Sequence, residues 1–167
     1  SRLLTYLKKY QGKNIGFKIS GETTGENFEF MRYGSKWTDF CEKVKMISDH
    51  GFEIEFISTI SNLTILDFHN FYNKFKNDYK ININFLTGRP FLLPHVLDSK
   101  SKEIFQTWIA QQNDTSILEP LRNITEKDIQ EVDKKNLFDY LTQFSDRRKL
   151  SLDFLPKHFQ SWCGLIT

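Results

Sequence analysis

The chain has 167 residues, with 23 Lys and Arg against 21 Asp and Glu and a formal net charge of +2. This length suits one domain and is short of the roughly 250 residues of a closed eight-unit α/β barrel. The scattered, nearly balanced charge excludes the basic surface that nucleic-acid binding requires, and no apolar run approaches the ~20 residues of a membrane span. We therefore expect a cytoplasmic protein with neither nucleic acid nor membrane as a partner.

The first 112 residues repeat a strand pattern followed by a helical pattern, after a short initial helix over Arg2 to Tyr10. The predicted strands are Asn14–Ser20, Phe52–Ile60 and Lys80–Thr87, and the predicted helices that follow them are Lys36–His50, Thr64–Asp78 and Ser99–Gln112. Helical crossovers between parallel strands bring the loops that leave the strands to one end of the sheet. The sequence therefore predicts adjacent parallel strands in chain order, with a ligand site at their carboxyl ends.

The first connection and the helix stripes give further expectations. The stretch from Ser20 to Ser35 is turn-rich and long for a βα connection, so we interpret it as a functional loop, with Ser35 capping the next helix. The apolar stripes predict one core cluster containing Phe40, Val44, Ile57, Phe68, Phe71, Phe75 and Phe85.

The periodicity changes after Gln112. The stretch Thr125 to Asp128 reads as the first turn of a long helix, and an aromatic tail over Asp146 to Thr167 is expected to pack back on the sheet domain. We therefore divide the chain into βα units over residues 1–112 and a C-terminal helical extension over residues 113–167.

The sequence nominates no catalytic residue. It has no Gly-rich phosphate loop, and its four histidines are isolated from one another and from the two cysteines, so no metal site is predicted. Glu22 and Glu26 form a possible carboxylate pair in the long first loop, the alternative being two solvated acids.

Uncharged hydrogen-bonding residues gather at the predicted strand ends: Ser20, Ser58, Thr59, Ser61, Asn62 and Thr87. Such side chains can hold a polar small molecule without moving protons. The alternative is that they satisfy the backbone of the turns in which they lie.

Several segments resemble one family. The strand end Phe17–Gly21 and the following stretch Gly25–Trp37 are similar to the fourth strand and loop of radical S-adenosylmethionine proteins of the twitch-domain-containing kind. In that family a Ser-Ile-Asp-Gly strand end precedes Gly-Glu-x-Phe-Glu-x-x-Arg-x-Gly-x-x-Trp. The segment Ile57–Asn62 resembles the family's fifth strand, and Asp146–Pro156 resembles its Asp-x-Arg…Phe-Pro ending.

The resemblance implies an α/β fold in which parallel βα units form part of a (β/α)6 partial TIM-type barrel, with C-terminal helices. It implies S-adenosylmethionine as the cofactor at the strand ends. Its ribose or amino-acid moiety would lie near Ser20, Ser58, Ser61 and Asn62. Arg32 would be the partner of its carboxylate.

Two departures bear on these implications. Lys18 and Ser20 stand where the family pattern has Ser and Asp. The family's Cys-x3-Cys-x2-Cys motif is absent, and two cysteines cannot bind a [4Fe–4S] cluster, so an upstream segment or another chain would have to supply it.

Two functional classes follow. The first is the C-terminal portion of a radical enzyme, inactive alone, whose partner is the missing N-terminal half-barrel in the same polypeptide or another chain, and whose substrate is a peptide or protein. The second is a non-catalytic binding or structural module with a parallel α/β fold. In the first case, the edge of the first strand should expose unpaired backbone and apolar surface, whereas a self-sufficient closed core would favour the second.

Overall fold

The computed structural model describes residues 2–112, 121 and 127–166, which form a mixed α/β fold. The elements in chain order are α1 (Arg2–Tyr10), β1 (Gly16–Ser20), α2 (Gly25–Met31), α3 (Trp37–Asp49), β2 (Glu53–Ile60), α4 (Asn62–Phe75), β3 (Lys80–Phe85), a 3₁₀ turn (Pro90–Leu92), α5 (Ser99–Ala110), α6 (Glu131–Arg148) and α7 (Lys157–Cys163). Among these helices none is long and apolar enough to cross a membrane.

The three strands form one parallel sheet in the order β1-β2-β3. In the register of the sheet, Ser20 lies opposite Ile57, and Ile60 lies opposite Phe85. The predicted order and direction of the strands are therefore confirmed. Each strand is shorter than predicted, because the flanking residues lie in turns outside the hydrogen-bonded ladder.

The two faces of the sheet differ in composition. On β2, Ile54, Phe56, Ser58 and Ile60 are buried, whereas Glu55, Ile57 and Thr59 alternate with them and are half-buried. The face that carries the buried side chains is called the helix face, because α3 and α4 contact β2 there. The opposite face is called the open face. The prediction that Ile57 joins the core cluster is wrong, since strand alternation places it on the open face.

Aromatic rings fill the space between the helix face and α3 and α4. The ring centroid of Phe56 lies 5.1 Å from that of Phe71 and 4.7 Å from that of Phe75. Val44 and Phe68 are buried in the same cluster, and Phe40 and Phe85 pack against it half-buried. Apart from Ile57, the predicted core members are therefore confirmed.

The stretch from Ser20 to Ser35 contains a helix, α2, where the sequence predicted only a loop. Two of its side chains, Phe28 and Phe30, are buried. Their burial stabilises this seven-residue helix, although Gly21, Gly25 and Gly34 in the same segment favour turns. The predicted Ser35 cap is also wrong, since Lys36 occupies the N-cap position of α3 and makes no side-chain capping bond.

The C-terminal helices pack on the same hydrophobic core as the sheet. Helix α6 begins at Glu131, later than predicted, and its Leu137 and Leu141 are fully buried. Phe159 of α7 is also fully buried. Helix α6 contacts the 3₁₀ turn after β3 and α7, and α7 contacts α5. Part of the predicted first turn, Thr125 and Glu126, lies outside the described residues.

Candidate functional site

The loops that leave β1 and β3 meet α2 and α6 beyond the carboxyl ends of the strands. Phe30 of α2 packs on Phe144 of α6 with ring centroids 4.8 Å apart. Phe91, in the 3₁₀ turn after β3, packs on Tyr140 of α6 at 5.7 Å. This region, which we call the strand-end region, is where a parallel sheet is expected to bind ligands.

An ion pair between Glu22 and Arg32 spans the two ends of the β1–α2 segment. Arg32 Nη2 donates to Glu22 Oε1 at 2.9 Å and to Oε2 at 2.8 Å. Glu22 is buried, and desolvation raises the pKa of its carboxyl group, while the charge and hydrogen bonds of Arg32 lower it. The Arg32 guanidinium also lies 5.7 Å from the Phe28 ring, and its Nε is buried without a hydrogen-bond partner.

A second carboxylate, Asp67 of α4, holds the start of α2. Its Oδ2 accepts hydrogen bonds from the backbone nitrogen of Thr24 at 2.5 Å and from Thr24 Oγ1 at 2.9 Å. Its Oδ1 accepts from Asn70 Nδ2 at 2.7 Å. Asp67 therefore accepts a hydrogen bond from a backbone N–H group at the N-terminus of α2. The side chain of Thr24, the N-cap residue, makes no capping hydrogen bond.

The structure places Ser20 and Ser58 on opposite faces of the sheet. Ser20 is exposed at the carboxyl end of β1, opposite Ile57 of the open face. Ser58 is fully buried on the helix face and donates from Oγ to the Gly21 carbonyl oxygen at 2.5 Å. The structure therefore does not bring Ser20 and Ser58, both predicted to contact the cofactor, to one site.

Ser61 and Asn62 are buried in the turn that begins α4. Ser61 is the N-cap residue and forms a reciprocal capping arrangement with Thr64. Asn62 Nδ2 donates to the carbonyl oxygens of Phe91 at 2.9 Å and Val96 at 3.1 Å, while its Oδ1 is buried without a partner. Both side chains thus form hydrogen bonds with backbone groups: Ser61 caps α4, and Asn62 holds the segment that follows β3.

The proposed carboxylate pair of Glu22 and Glu26 does not converge. Glu22 contacts Arg32, whereas Glu26 lines a cavity of about 300 Å³ together with Phe30 of α2 and the Leu150–Phe154 segment.

Sequence reasoning missed a polar ladder on the open face. Glu55 of β2 contacts Lys80 Nζ at 3.0 Å and Lys18 Nζ at 3.5 Å, and Asn82 Nδ2 also donates to it. Hydrogen bonds from Lys80 and Asn82 lower the pKa of Glu55 to about 2. These residues, apart from Asn82, border an open cavity of about 590 Å³. The period-2 alternation of polar residues in all three strands was the available signal.

Cys41 and Cys163 are free thiols, half-buried and buried respectively. Among the described residues, no group of three or more His, Cys, Asp or Glu side chains is arranged to bind a metal ion. No protein-family model, curated protein or solved structure matches the chain.

Proposed function

We propose that this chain is the C-terminal portion of a radical S-adenosylmethionine enzyme, in which β1–β3 form one wall of a (β/α)6 partial barrel. The observation that carries the proposal is the one-sided parallel sheet. Parallel sheets occur almost only with both faces covered. In a barrel the helices cover the outside, and the other face lines the interior. The helix face and the polar open face of this sheet suit those two environments.

The position of the family-like segment supports the proposal. The stretch Phe17–Gly21 forms most of β1 and its carboxyl end, and Gly25–Trp37 forms α2 and the start of α3. Gly21, the residue after β1, has a packing reason to be glycine, because a Cβ there would lie 2.7 Å from the Phe71 ring. Arg32 ends α2 beside the carboxyl end of β1, where a cofactor carboxylate would be bound.

The residues present fit S-adenosylmethionine in part. Arg32 binds a carboxylate in this structure, that of the buried Glu22, through Nη2, so a cofactor carboxylate would share the guanidinium with Glu22 and bind through its other donors. Ser20 presents a hydroxyl group on the open face. Contacts through Ser58, Ser61 and Asn62 remain predictions, and they would compete with hydrogen bonds that these side chains make within the chain.

In the family, reductive cleavage of the cofactor at a [4Fe–4S] cluster supplies the radical chemistry. A chain with two cysteines does not hold such a cluster, so we propose that an N-terminal half-barrel, in the same polypeptide or in another chain, supplies it. Among the described strands, β1 pairs only with β2, so its other edge is the place for that half to join. A peptide or protein is the proposed substrate.

One observation favours the second candidate, a non-catalytic α/β module. Ser58, Ser61 and Asn62 all use polar groups to hold backbone, as expected of strand-end turns without a ligand. In such a module the Glu22–Arg32 pair would have only a structural role.

Calorimetric titration of the chain with S-adenosylmethionine distinguishes the two candidates. The radical-enzyme proposal predicts weak, saturable binding, since half of the site is supplied elsewhere. Ser20→Ala should weaken it, whereas Ser161→Ala, which removes an exposed hydroxyl from α7, should not. Equal affinities for the two variants, or no binding at all, would favour the module. A Cys-x3-Cys-x2-Cys motif in the reading frame upstream of Ser1 would support the enzyme independently.

A further inference from the structure

Arg148, the last residue of α6, is held by aromatic faces instead of by acids. Its guanidinium carbon lies 3.8 Å from the ring centroid of Phe144 and 4.9 Å from that of Tyr33. The Arg148 side chain makes no hydrogen bond or ion pair with the other described residues. A guanidinium that is stacked on rings keeps its N–H donors free, because those donors point outward in its own plane.

A second unpaired arginine lies at the same end of the sheet. Arg89 follows β3 and is exposed; its carbonyl oxygen accepts from the Leu92 backbone nitrogen, but its side chain has no acidic or hydrogen-bonding partner in the described part of the chain. It precedes Phe91, whose ring packs on Tyr140, and Tyr140 packs on Phe144 at 5.5 Å. Phe91, Tyr140 and Phe144 therefore form an aromatic row that runs from the 3₁₀ turn after Arg89 to the ring on which Arg148 stacks.

The electrostatics of Tyr140 agree with this placement. Burial raises the pKa of the Tyr140 hydroxyl group, and the positive charges of Arg89 and Arg148 oppose that rise.

The simplest structural explanation of Arg148 is a favourable interaction with the C-terminus of α6, where basic residues are stabilising. Arg147 lies in the same last turn and would satisfy that role equally well, yet it is exposed and has no aromatic contact among the described residues. The contact of Arg148 with Phe144 joins residues four apart on one helix, whereas its contact with Tyr33 joins it to the segment before α3, so the guanidinium is held from two sides.

We propose that Arg148 and Arg89 form an oxyanion-binding subsite at the strand-end region, which takes a carboxylate or phosphate group of the substrate. Planar guanidinium groups bind both anions through paired N–H donors. The assignment to a substrate rests on the proposed radical-enzyme function, whereas the anion binding itself does not.

The test is an NMR titration of the chain with inorganic phosphate and, separately, with glutarate, following the arginine Nε–H signals. We expect saturable shifts at Arg148. Arg148→Gln and Arg89→Gln should each weaken binding about tenfold, a loss typical of one charged hydrogen-bonding group. Arg147→Gln, which removes the same charge one residue away, should bind like the wild type.

Tighter binding of phosphate than of glutarate supports a phosphate-bearing substrate, and the reverse supports a carboxylate-bearing one. Absence of saturable binding, or equal weakening by Arg147→Gln and Arg148→Gln, overturns the subsite. Because Arg89 is exposed and unpaired, its substitution tests the proposal even if Arg148→Gln destabilises α6. S-adenosylmethionine is absent from the experiment, so its result is independent of the cofactor proposal.

Discussion

A single nitrogen of Arg32, Nη2, contacts both carboxylate oxygens of Glu22 across the segment that joins β1 to α2. Glu22 is buried, whereas about a third of the Arg32 side chain is exposed. The pair therefore sits at the border between the core and the strand-end region. It fixes α2 to the end of β1.

Removing the cation should destabilise the fold. Arg32→Gln leaves a buried carboxylate without its charged partner, so we expect the free energy of unfolding to fall by about 1–3 kcal/mol. The double variant Glu22→Gln/Arg32→Gln should recover part of that loss, because no charge is then buried. Urea unfolding measures both changes, and equal stabilities of the single and double variants would contradict the coupling.

Gly21 should tolerate no side chain. A Cβ there would lie 2.7 and 2.8 Å from two carbons of the Phe71 ring, which is itself fully buried. We expect Gly21→Ala to cost about 1–3 kcal/mol through overpacking. Gly16→Ala is the matched control, because its Cβ meets Glu53 at an ordinary 3.7 Å. Thermal unfolding should separate the two variants, and similar melting temperatures would argue against the close approach.

Two neighbouring residues of β2 should respond very differently to truncation. Phe56 is fully buried on the helix face, so Phe56→Ala should cost about 3–5 kcal/mol. Ile57→Ala, one residue away on the open face, should cost less than about 2 kcal/mol, because that side chain is half-buried. Denaturant midpoints give the comparison. A larger loss at Ile57 would mean that the open face is covered in solution.

The open-face ladder should give the chain an acid-dependent stability. Lys80 and Asn82 lower the pKa of Glu55 from 4.5 to about 2 in the folded state. Between these values the unfolded chain binds more protons than the folded chain, so stability falls as the pH drops from about 4.5 to about 2. Glu55→Gln should flatten that part of the profile. An unchanged slope, measured by urea unfolding at several pH values, would exclude Glu55 as its source.

The sequence by itself determined the parallel sheet and most of the core. Alternation in Glu53–Ile60 and the 3.6-residue stripes of α3 and α4 are local patterns, because each follows from burying one face of one element. The same patterns placed the polar residues near the strand ends. The composition, with two cysteines, limits any iron–sulfur cluster that this chain could bind by itself.

The tertiary structure alone decided which polar side chains are hydrogen-bonded within the chain and which remain free to bind a ligand. Asp67, 43 residues from Thr24, anchors the unpredicted helix α2, and Ser58 turns inward to the Gly21 carbonyl oxygen. Arg148 acquires its contact with the Tyr33 ring only when α6 packs beside Tyr33. Each of these depends on contacts between residues distant in the sequence, and hydrogen bonds or stacking at that range leave no periodic pattern in the chain.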